Sequence, residues 1–132
     1  MVDDDPGMRF VLGRWLKEGG FLMKEADSAE AALDVLASEP ADVVSCDIQM
    51  PGHGGIWLAG QIRDRYPATP VLLTTGVRSV PPSVSMRGGV VAYLVKPFDR
   101  ERFMHAVQLA TQWRHAGSDQ QADDWLEALK DL

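Results

Sequence analysis

The sequence predicts an α/β fold, a doubly wound parallel sheet covered by helices on both faces. Three short apolar runs, at residues 42–47, 70–75 and 90–95, are continuous rather than alternating, which is typical of parallel strands buried on both faces. Segments with a helical spacing of apolar residues lie between these runs, and this alternation indicates strand–helix units. The length of 132 residues allows one core and no second domain of similar bulk.

The first helix follows directly on the acidic residues at the start of the chain. Asp5 is a good N-cap, and Pro6 suits the first helical turn. Two glycines at residues 19–20 end the element. Residues 21–25, which open with an apolar Phe-Leu-Met run, are predicted to form a short strand.

The boundaries of the other helices are also visible. Asp27 and Glu30 resemble a capping box, which opens a helix closed by Pro40. A third helix is predicted over residues 56–66, ahead of a proline, and a long amphipathic helix over residues 98–113.

Composition and charge exclude several classes of protein. The formal net charge of −6 argues against a nucleic-acid-binding surface, because phosphate backbones are held by clustered Lys and Arg. No apolar run approaches the roughly 18 to 20 residues that span a bilayer, and the acidic N-terminus is the reverse of a signal peptide. The single cysteine, Cys46, is expected in the core, and its isolation fits a reducing cytoplasm. We therefore expect a cytoplasmic location without membrane or direct nucleic-acid partners.

Polar groups collect where the predicted strands end. Ligands of parallel sheets bind at the carboxyl ends of the strands, and these ends carry Asp3-Asp4, Asp47, Thr75 and Lys96. Carboxylate oxygens suit Mg²⁺, whereas a lysine and a hydroxyl suit phosphoryl oxygens. A carboxylate can itself be the nucleophile that forms an aspartyl-phosphate. The pattern therefore predicts phosphoryl transfer to an aspartate.

These motifs, in this order, resemble the receiver domain of two-component response regulators (CheY-like domains). The resemblance runs over residues 2–114 and rests on Asp3-Asp4, Asp47-Ile48-Gln49-Met50-Pro51-Gly52, Thr75-Gly76 and Tyr93-Leu94-Val95-Lys96-Pro97. It implies a flavodoxin-like sheet with strand order 2-1-3-4-5. It also implies a cis peptide bond between Lys96 and Pro97.

The resemblance further implies a role for each site residue. Asp47 would take a phosphoryl group from a sensor histidine kinase or a histidine phosphotransfer protein, and Thr75 and Lys96 would hold phosphoryl oxygens. Tyr93 would be the aromatic residue that moves with Thr75. The ligands of Mg²⁺ would be Asp4, Asp47 and the backbone carbonyl of Gln49, with Asp3 acting through water.

The first strand of the family is largely missing from this sequence. Only Met1 and Val2 precede the acidic pair, whereas ordinary strands have about five residues. A start site placed too late, a cut at the wrong position, or a natural shortening that borrows a strand from a partner would each explain this. We expect a form extended upstream to be more stable.

The fourth helix of the family is expected to be short or irregular and mobile, with a modified output surface. Its segment, residues 80–89, has two prolines near its start and two glycines at its end. We expect residues 1–116 to form the receiver domain. Residues 117–132 are expected to form a polar linker and a C-terminal amphipathic helix, which could fold back or support a homodimer.

Two other functions compete with a phosphorylated switch that is not a conventional enzyme. The first is an interaction module of receiver ancestry that is no longer phosphorylated. The second is a haloacid-dehalogenase-like phosphatase. That class has an Asp-x-Asp motif at its nucleophile, and here Gln49 stands at the position of the second aspartate. We interpret His53 as a solvated loop residue, and His105 and His115 as residues on the surface of the last helix. The downstream partner is unknown.

Overall fold

The computed structural model describes residues 1–76 and 89–116 of the chain. These residues form four helices and three strands. The elements are α1 (Pro6–Glu18), α2 (Ala29–Ser38), β1 (Val44–Asp47), α3 (Gly55–Arg65), β2 (Val71–Thr75), β3 (Val90–Val95) and α4 (Arg100–Ala116).

The three strands form a parallel sheet in the order β1-β2-β3. Its central strand, β2, is buried along its whole length, so its residues contribute to a core on each face. Leu73 packs in the core with α2 and α3, and Leu72 packs in the core with α1 and α4. The predicted doubly wound α/β fold is therefore confirmed.

The chain start occupies a strand position next to β1. Val2 forms parallel bridges with both Cys46 and Ala26, and its N–H donates to the carbonyl of Ser45 over 2.7 Å while its carbonyl accepts from Asp47 N–H over 2.9 Å. One residue thus stands where the sheet order predicts the first strand, between β1 and the segment that ends at Ala26. The prediction that this first strand is largely missing agrees with this arrangement.

The predicted strand at residues 21–25 is wrong, since these residues have no strand conformation and only Ala26 forms a bridge. The physical reason is the lack of a neighbour, because a strand needs a partner for its backbone groups and Val2 reaches only Ala26. The side chain of Leu22 is accordingly fully exposed.

The N-caps of α1 and α2 can be compared with the residues predicted to cap them. Asp5 is the N-cap of α1, with its carboxylate accepting from Gly7 N–H over 2.8 Å, as predicted. The cap of α2 is Ser28 rather than Asp27, because the Ser28 hydroxyl accepts from Ala31 N–H at 3.1 Å. The capping-box assignment at Asp27 was therefore one residue early.

Several predictions lie partly or wholly outside the described residues. They are the short fourth helix at 80–89, the linker and helix at 117–132, and the surface position of His115. Cys46 is buried in the core and His105 is exposed, both as predicted. The peptide bond between Lys96 and Pro97 is cis. Within residues 1–76 and 89–116, no helix is long and apolar enough to cross a bilayer.

Candidate functional site

The sheet brings the predicted polar groups to one edge because all of its strands are parallel. Asp3 and Asp4 follow Val2, Asp47 ends β1, and Thr75 ends β2. Lys96 follows β3 directly, and its N–H donates to the carbonyl of Thr75 over 2.7 Å. The carboxyl ends of four neighbouring chain segments therefore meet at this edge.

Three carboxylates form the centre of the site. Oxygen atoms from Asp3, Asp4 and Asp47 all lie within 4.8 Å of one another. Asp3 and Asp47 are buried, with 1% and 5% of their surface exposed, whereas Asp4 is exposed. The site therefore has a buried floor and one carboxylate open to solvent.

Lys96 lies across the two buried carboxylates. Its Nζ is 3.2 Å from Oδ2 of Asp3 and 3.4 Å from Oδ2 of Asp47. Asp3 is further held because its Oδ1 accepts from Asp5 N–H over 2.9 Å. One ammonium against three carboxylates leaves a formal charge of −2 at the site, from 1 − 3.

The pKa of the Asp47 carboxyl is raised, and the main cause is burial, which disfavours the charged form. The charge of Lys96 and the N–H of Gln49 act in the opposite direction, and Asp3 raises the pKa further. Gln49 N–H donates to Oδ1 of Asp47 over 3.2 Å. The two oxygens of Asp47 are thus held from different sides, one by a backbone amide and one by an ammonium.

The donor set fits a hard divalent cation. Mg²⁺ takes oxygen ligands, tolerates several waters and needs only one or two carboxylates. The grouped oxygens of Asp3, Asp4 and Asp47 meet this requirement, and a charge of +2 would balance the formal charge of the cluster. Both Asp3 oxygens accept hydrogen bonds, from Asp5 N–H and Lys96, and Asp4 is the carboxylate of the three that is exposed to solvent.

Thr75 and Tyr93 lie on the neighbouring strands β2 and β3 and differ in exposure. Thr75 is fully buried at the end of β2. Tyr93 is partly buried and packs against the α2–α3 core, and burial raises the pKa of its hydroxyl. The register pairs Tyr93 with Leu73, two residues before Thr75 on the neighbouring strand.

Two groups near the site were missed in the sequence. Arg9 donates from Nη1 to the backbone carbonyl of Asp3 over 2.8 Å, which ties α1 to the acidic pair; its place one turn into the helix after Asp5 could have indicated this. His53 is half-exposed as predicted for a loop, but it is not simply solvated. Its Nδ1 lies 2.6 Å from Oε1 of Glu30, and its ring stacks on Trp57 at 3.8 Å.

The fold and the site together define a class of protein. It is a doubly wound α/β domain whose strand ends carry clustered carboxylates and a lysine, which suit a divalent cation and a phosphoryl group. A sequence profile of the response regulator receiver domain matches residues 1–108, most of the chain. The protein therefore belongs to the response regulator receiver domain family. It is a signal-transduction module of two-component systems.

Curated relatives and a solved structure agree with this assignment. The chain is 41% identical to the response regulator protein FleR of Pseudomonas aeruginosa over 128 residues, which are 96% of this chain and 27% of FleR. It is 32% identical over its full length to the DNA-binding transcriptional regulator NtrC of Proteus hauseri, covering 28% of that protein. The chain thus spans about a quarter of the length of these relatives.

The structural comparison includes a complex with Mg²⁺ and BeF. The response regulator TrrA of Thermotoga maritima, crystallised with Mg²⁺ and BeF, is 31% identical, with a TM-score of 0.76 over 83% of this chain and 94% of TrrA. The receiver domain of an HD-domain protein from Pseudomonas fluorescens is 27% identical, with a TM-score of 0.81 over 87% of this chain and 94% of that domain. The receiver fold is therefore shared along most of the described residues.

Proposed function

We propose that Asp47 is the phosphoacceptor of this receiver domain and takes its phosphoryl group from a phosphohistidine of a sensor histidine kinase or histidine phosphotransfer protein. The observation that carries the proposal is the placement of Asp47, buried at a strand end, with Lys96 3.4 Å away and two further carboxylates beside it. TrrA, a relative of the same fold, binds Mg²⁺ and BeF, which supports a phosphoryl site of this kind.

The transfer uses Asp47 as the nucleophile. A carboxylate oxygen of Asp47 forms a bond to phosphorus while the P–N bond of the phosphohistidine breaks, and the imidazole leaves with the electron pair of that bond. Gln49 N–H and Lys96 each contact a different oxygen of the Asp47 carboxylate, which orients the nucleophile. Positioning and charge neutralisation supply most of the catalysis in phosphoryl transfer, so no histidine or cysteine base is needed.

Mg²⁺ would be held by Asp4, Asp47 and the backbone carbonyl of Gln49, with Asp3 acting through water. When bound, it neutralises charge on the phosphoryl oxygens. The indirect role of Asp3 is supported by its burial, since Asp3 is 1% exposed and its neighbour Asp4 is open to solvent. In the phosphorylated form Lys96 and Thr75 would bind phosphoryl oxygens.

The product of the reaction is a changed surface rather than a released molecule. Thr75 and Tyr93 are the switch pair, and the changed surface lies around β3 and the segment before it. Lys96 N–H donates to the carbonyl of Thr75, and this bond joins the end of β2 to the end of the strand that carries Tyr93, which supports a coupled movement of Thr75 and Tyr93. The protein is thus a phosphoacceptor that assists its own phosphoryl transfer and hydrolysis, acting in the cytoplasm, with residues 117–132 as a linker and helix after the domain.

The test is phosphorylation by a small donor. Incubation with acetyl phosphate and Mg²⁺ should add one phosphoryl group by intact mass, and the adduct should be labile in base. Asp47→Asn should abolish the adduct, whereas Asp64→Asn, an exposed aspartate on α3, should retain it. No adduct on the folded wild type, or an adduct that survives in Asp47→Asn, would refute the assignment and favour an interaction module that is not phosphorylated.

A further inference from the structure

The loop of residues 48–54 (the β1–α3 loop) carries two backbone groups that the site uses, and both belong to Gln49. The N–H of Gln49 donates to Oδ1 of Asp47 over 3.2 Å, and its carbonyl is one of the proposed ligands of Mg²⁺. The conformation of the β1–α3 loop therefore determines where these two groups stand relative to the phosphoacceptor.

Both ends of the β1–α3 loop pack tightly against the end of β1. Ile48 N–H donates to the carbonyl of Thr74 over 2.8 Å, and Gly55 N–H donates back to the carbonyl of Ile48 over 3.0 Å. A Cβ atom at Gly54 would clash with the carbonyl oxygen of Ile48, and a Cβ atom at Gly55 would clash with that of Asp47. A shift at this end of the loop therefore acts directly on the backbone of Asp47.

The exposed tip of the loop is held by the side chain of His53. Its Nδ1 lies 2.6 Å from Oε1 of Glu30, in the first turn of α2. Its ring stacks on Trp57 of α3, with the ring centroids 3.8 Å apart and the ring planes 12° from parallel. Trp57 itself packs against the α2–α3 core. The loop tip is thus attached to both helices, by a hydrogen bond to one and a stack on the other.

The charge of Glu30 defines the direction of this hydrogen bond. The bond with His53 is the main cause that lowers the pKa of the Glu30 carboxyl, so Glu30 is charged at neutral pH. Because a carboxylate only accepts hydrogen bonds, Nδ1 of His53 is the donor. The ring is therefore fixed both in orientation, by the stack on Trp57, and in tautomer, by Glu30.

The exposure of this contact indicates a local role. The side chains of His53 and Glu30 are 52% and 57% exposed, and exposed pairs contribute little to the stability of a whole fold. Loops, however, open locally with a much smaller free energy than the domain unfolds. A weak contact at the loop tip therefore affects the position of the loop far more than the melting of the domain.

We propose that His53 is a positioning residue of the phosphorylation site, which keeps the β1–α3 loop closed on Asp47. Glu30 and Trp57 hold the His53 ring, and the closed loop keeps the amide and the carbonyl of Gln49 beside the phosphoacceptor. Preorganised groups of this kind determine the rate of phosphoryl transfer. The role rests on the proposed function of Asp47, and His53 acts on it only through the loop.

The first test measures exchange of the Gln49 amide by NMR, without Mg²⁺ and without a phosphoryl donor. His53→Ala removes both contacts of the ring and should raise this exchange rate about fivefold, the scale of one exposed contact. The Ile48 amide, which bonds to Thr74 within the sheet, is the internal reference and should not change. His105→Ala, at an exposed histidine on α4, should change neither rate.

The second test separates the bond to His53 from the effect of Glu30 on its own helix. A carboxylate in the first turn also interacts with the helix dipole, and Glu30→Ala removes both effects. If Glu30 acts through His53, the variant with both alanines should exchange at Gln49 no faster than His53→Ala alone. Glu30→Gln should keep slow exchange, because its amide oxygen still accepts from Nδ1. Asp34→Ala, at an exposed acid on α2, should leave the rate unchanged.

The third test connects the loop to the reaction. With acetyl phosphate and Mg²⁺, His53→Ala should form the adduct about fivefold more slowly than the wild type, because a misplaced group costs rate. Glu30→Gln should react at the wild-type rate. The melting temperature of His53→Ala, measured by circular dichroism, should stay close to that of the wild type.

The proposal is wrong if folded His53→Ala exchanges the Gln49 amide at the wild-type rate, or if the effects of His53→Ala and Glu30→Ala add. It is also wrong if this exchange rises while the rate of phosphorylation stays the same. A wild type that forms no adduct would instead refute Asp47 as the phosphoacceptor. Exchange at Gln49 needs neither donor nor Mg²⁺, so it then decides alone whether His53 holds the loop.

Discussion

Replacing Lys96 by methionine should separate cation binding from phosphoryl transfer. Met keeps most of the aliphatic length of lysine but removes the ammonium that lies 3.2 Å from Asp3 and 3.4 Å from Asp47. The formal charge of the site then changes from −2 to −3, since three carboxylates remain. A more negative cluster attracts a divalent cation more strongly. The variant, however, lacks the ammonium that we propose to bind a phosphoryl oxygen.

The magnitude follows from the separation of the charges. An ion about 2.1 Å from the Asp47 oxygen that lies 3.4 Å from Lys96 Nζ would be at most about 5.5 Å from that nitrogen. Removing one positive charge at about 5.5 Å strengthens the attraction by roughly 1.5 kcal/mol at the dielectric constant of water. This is about a tenfold lower dissociation constant. The rate of phosphorylation by acetyl phosphate should fall by about 100-fold, the usual effect of losing one preorganised donor to a developing charge.

Calorimetric titration with Mg²⁺ measures the first effect, and intact mass against time measures the second. Lys17→Met is the control, because Lys17 is an exposed lysine on α1 and its removal should change neither quantity. Circular dichroism should first establish that both variants are folded. Equal or weaker Mg²⁺ affinity in folded Lys96→Met would refute the electrostatic account of the site.

Two further predictions concern stability. Burial raises the pKa of Asp47, so its charged form destabilises the fold at neutral pH and protonation on acidification relieves this cost. Without Mg²⁺, Asp47→Asn should therefore raise the melting temperature at pH 7 by a few degrees, which corresponds to about 1 kcal/mol in the free energy of unfolding. This gain should shrink as the pH falls through the raised pKa of Asp47. A difference in melting temperature that stays constant across pH would contradict this explanation. Phe103→Ala should cost about 3–4 kcal/mol in urea unfolding because this side chain is fully buried among Trp15 and Phe98. Phe10→Ala, at an exposed site, should cost no more than about 0.5 kcal/mol, and similar costs for the two would refute the assigned core.

The sequence was sufficient for the elements that have strong local signals. Continuous apolar runs predicted β1, β2 and β3, and the N-cap of α1 was visible at Asp5. The rule that ligands gather at the carboxyl ends of parallel strands then predicted the cluster of Asp3, Asp47 and Lys96.

Features that depend on a distant partner were not predictable from local patterns. The apolar run at residues 21–25 looks like a strand, but strand formation requires a neighbour that only Val2 provides. The bond from His53 to Glu30 joins residues 23 positions apart, and nothing near either residue indicates it. Such contacts become visible only once the packing of α2 against α3 is known.

The backbone of Asp3 is held by the two neighbouring edges and by α1. Val2 is bonded on both sides, to Ser45 and Asp47 on one edge, and Asp3 N–H donates to the carbonyl of Ala26 on the other. Arg9 holds the Asp3 carbonyl from α1. Asp3 is therefore fixed through its own backbone and that of Val2, independently of the contact between its carboxylate and Lys96.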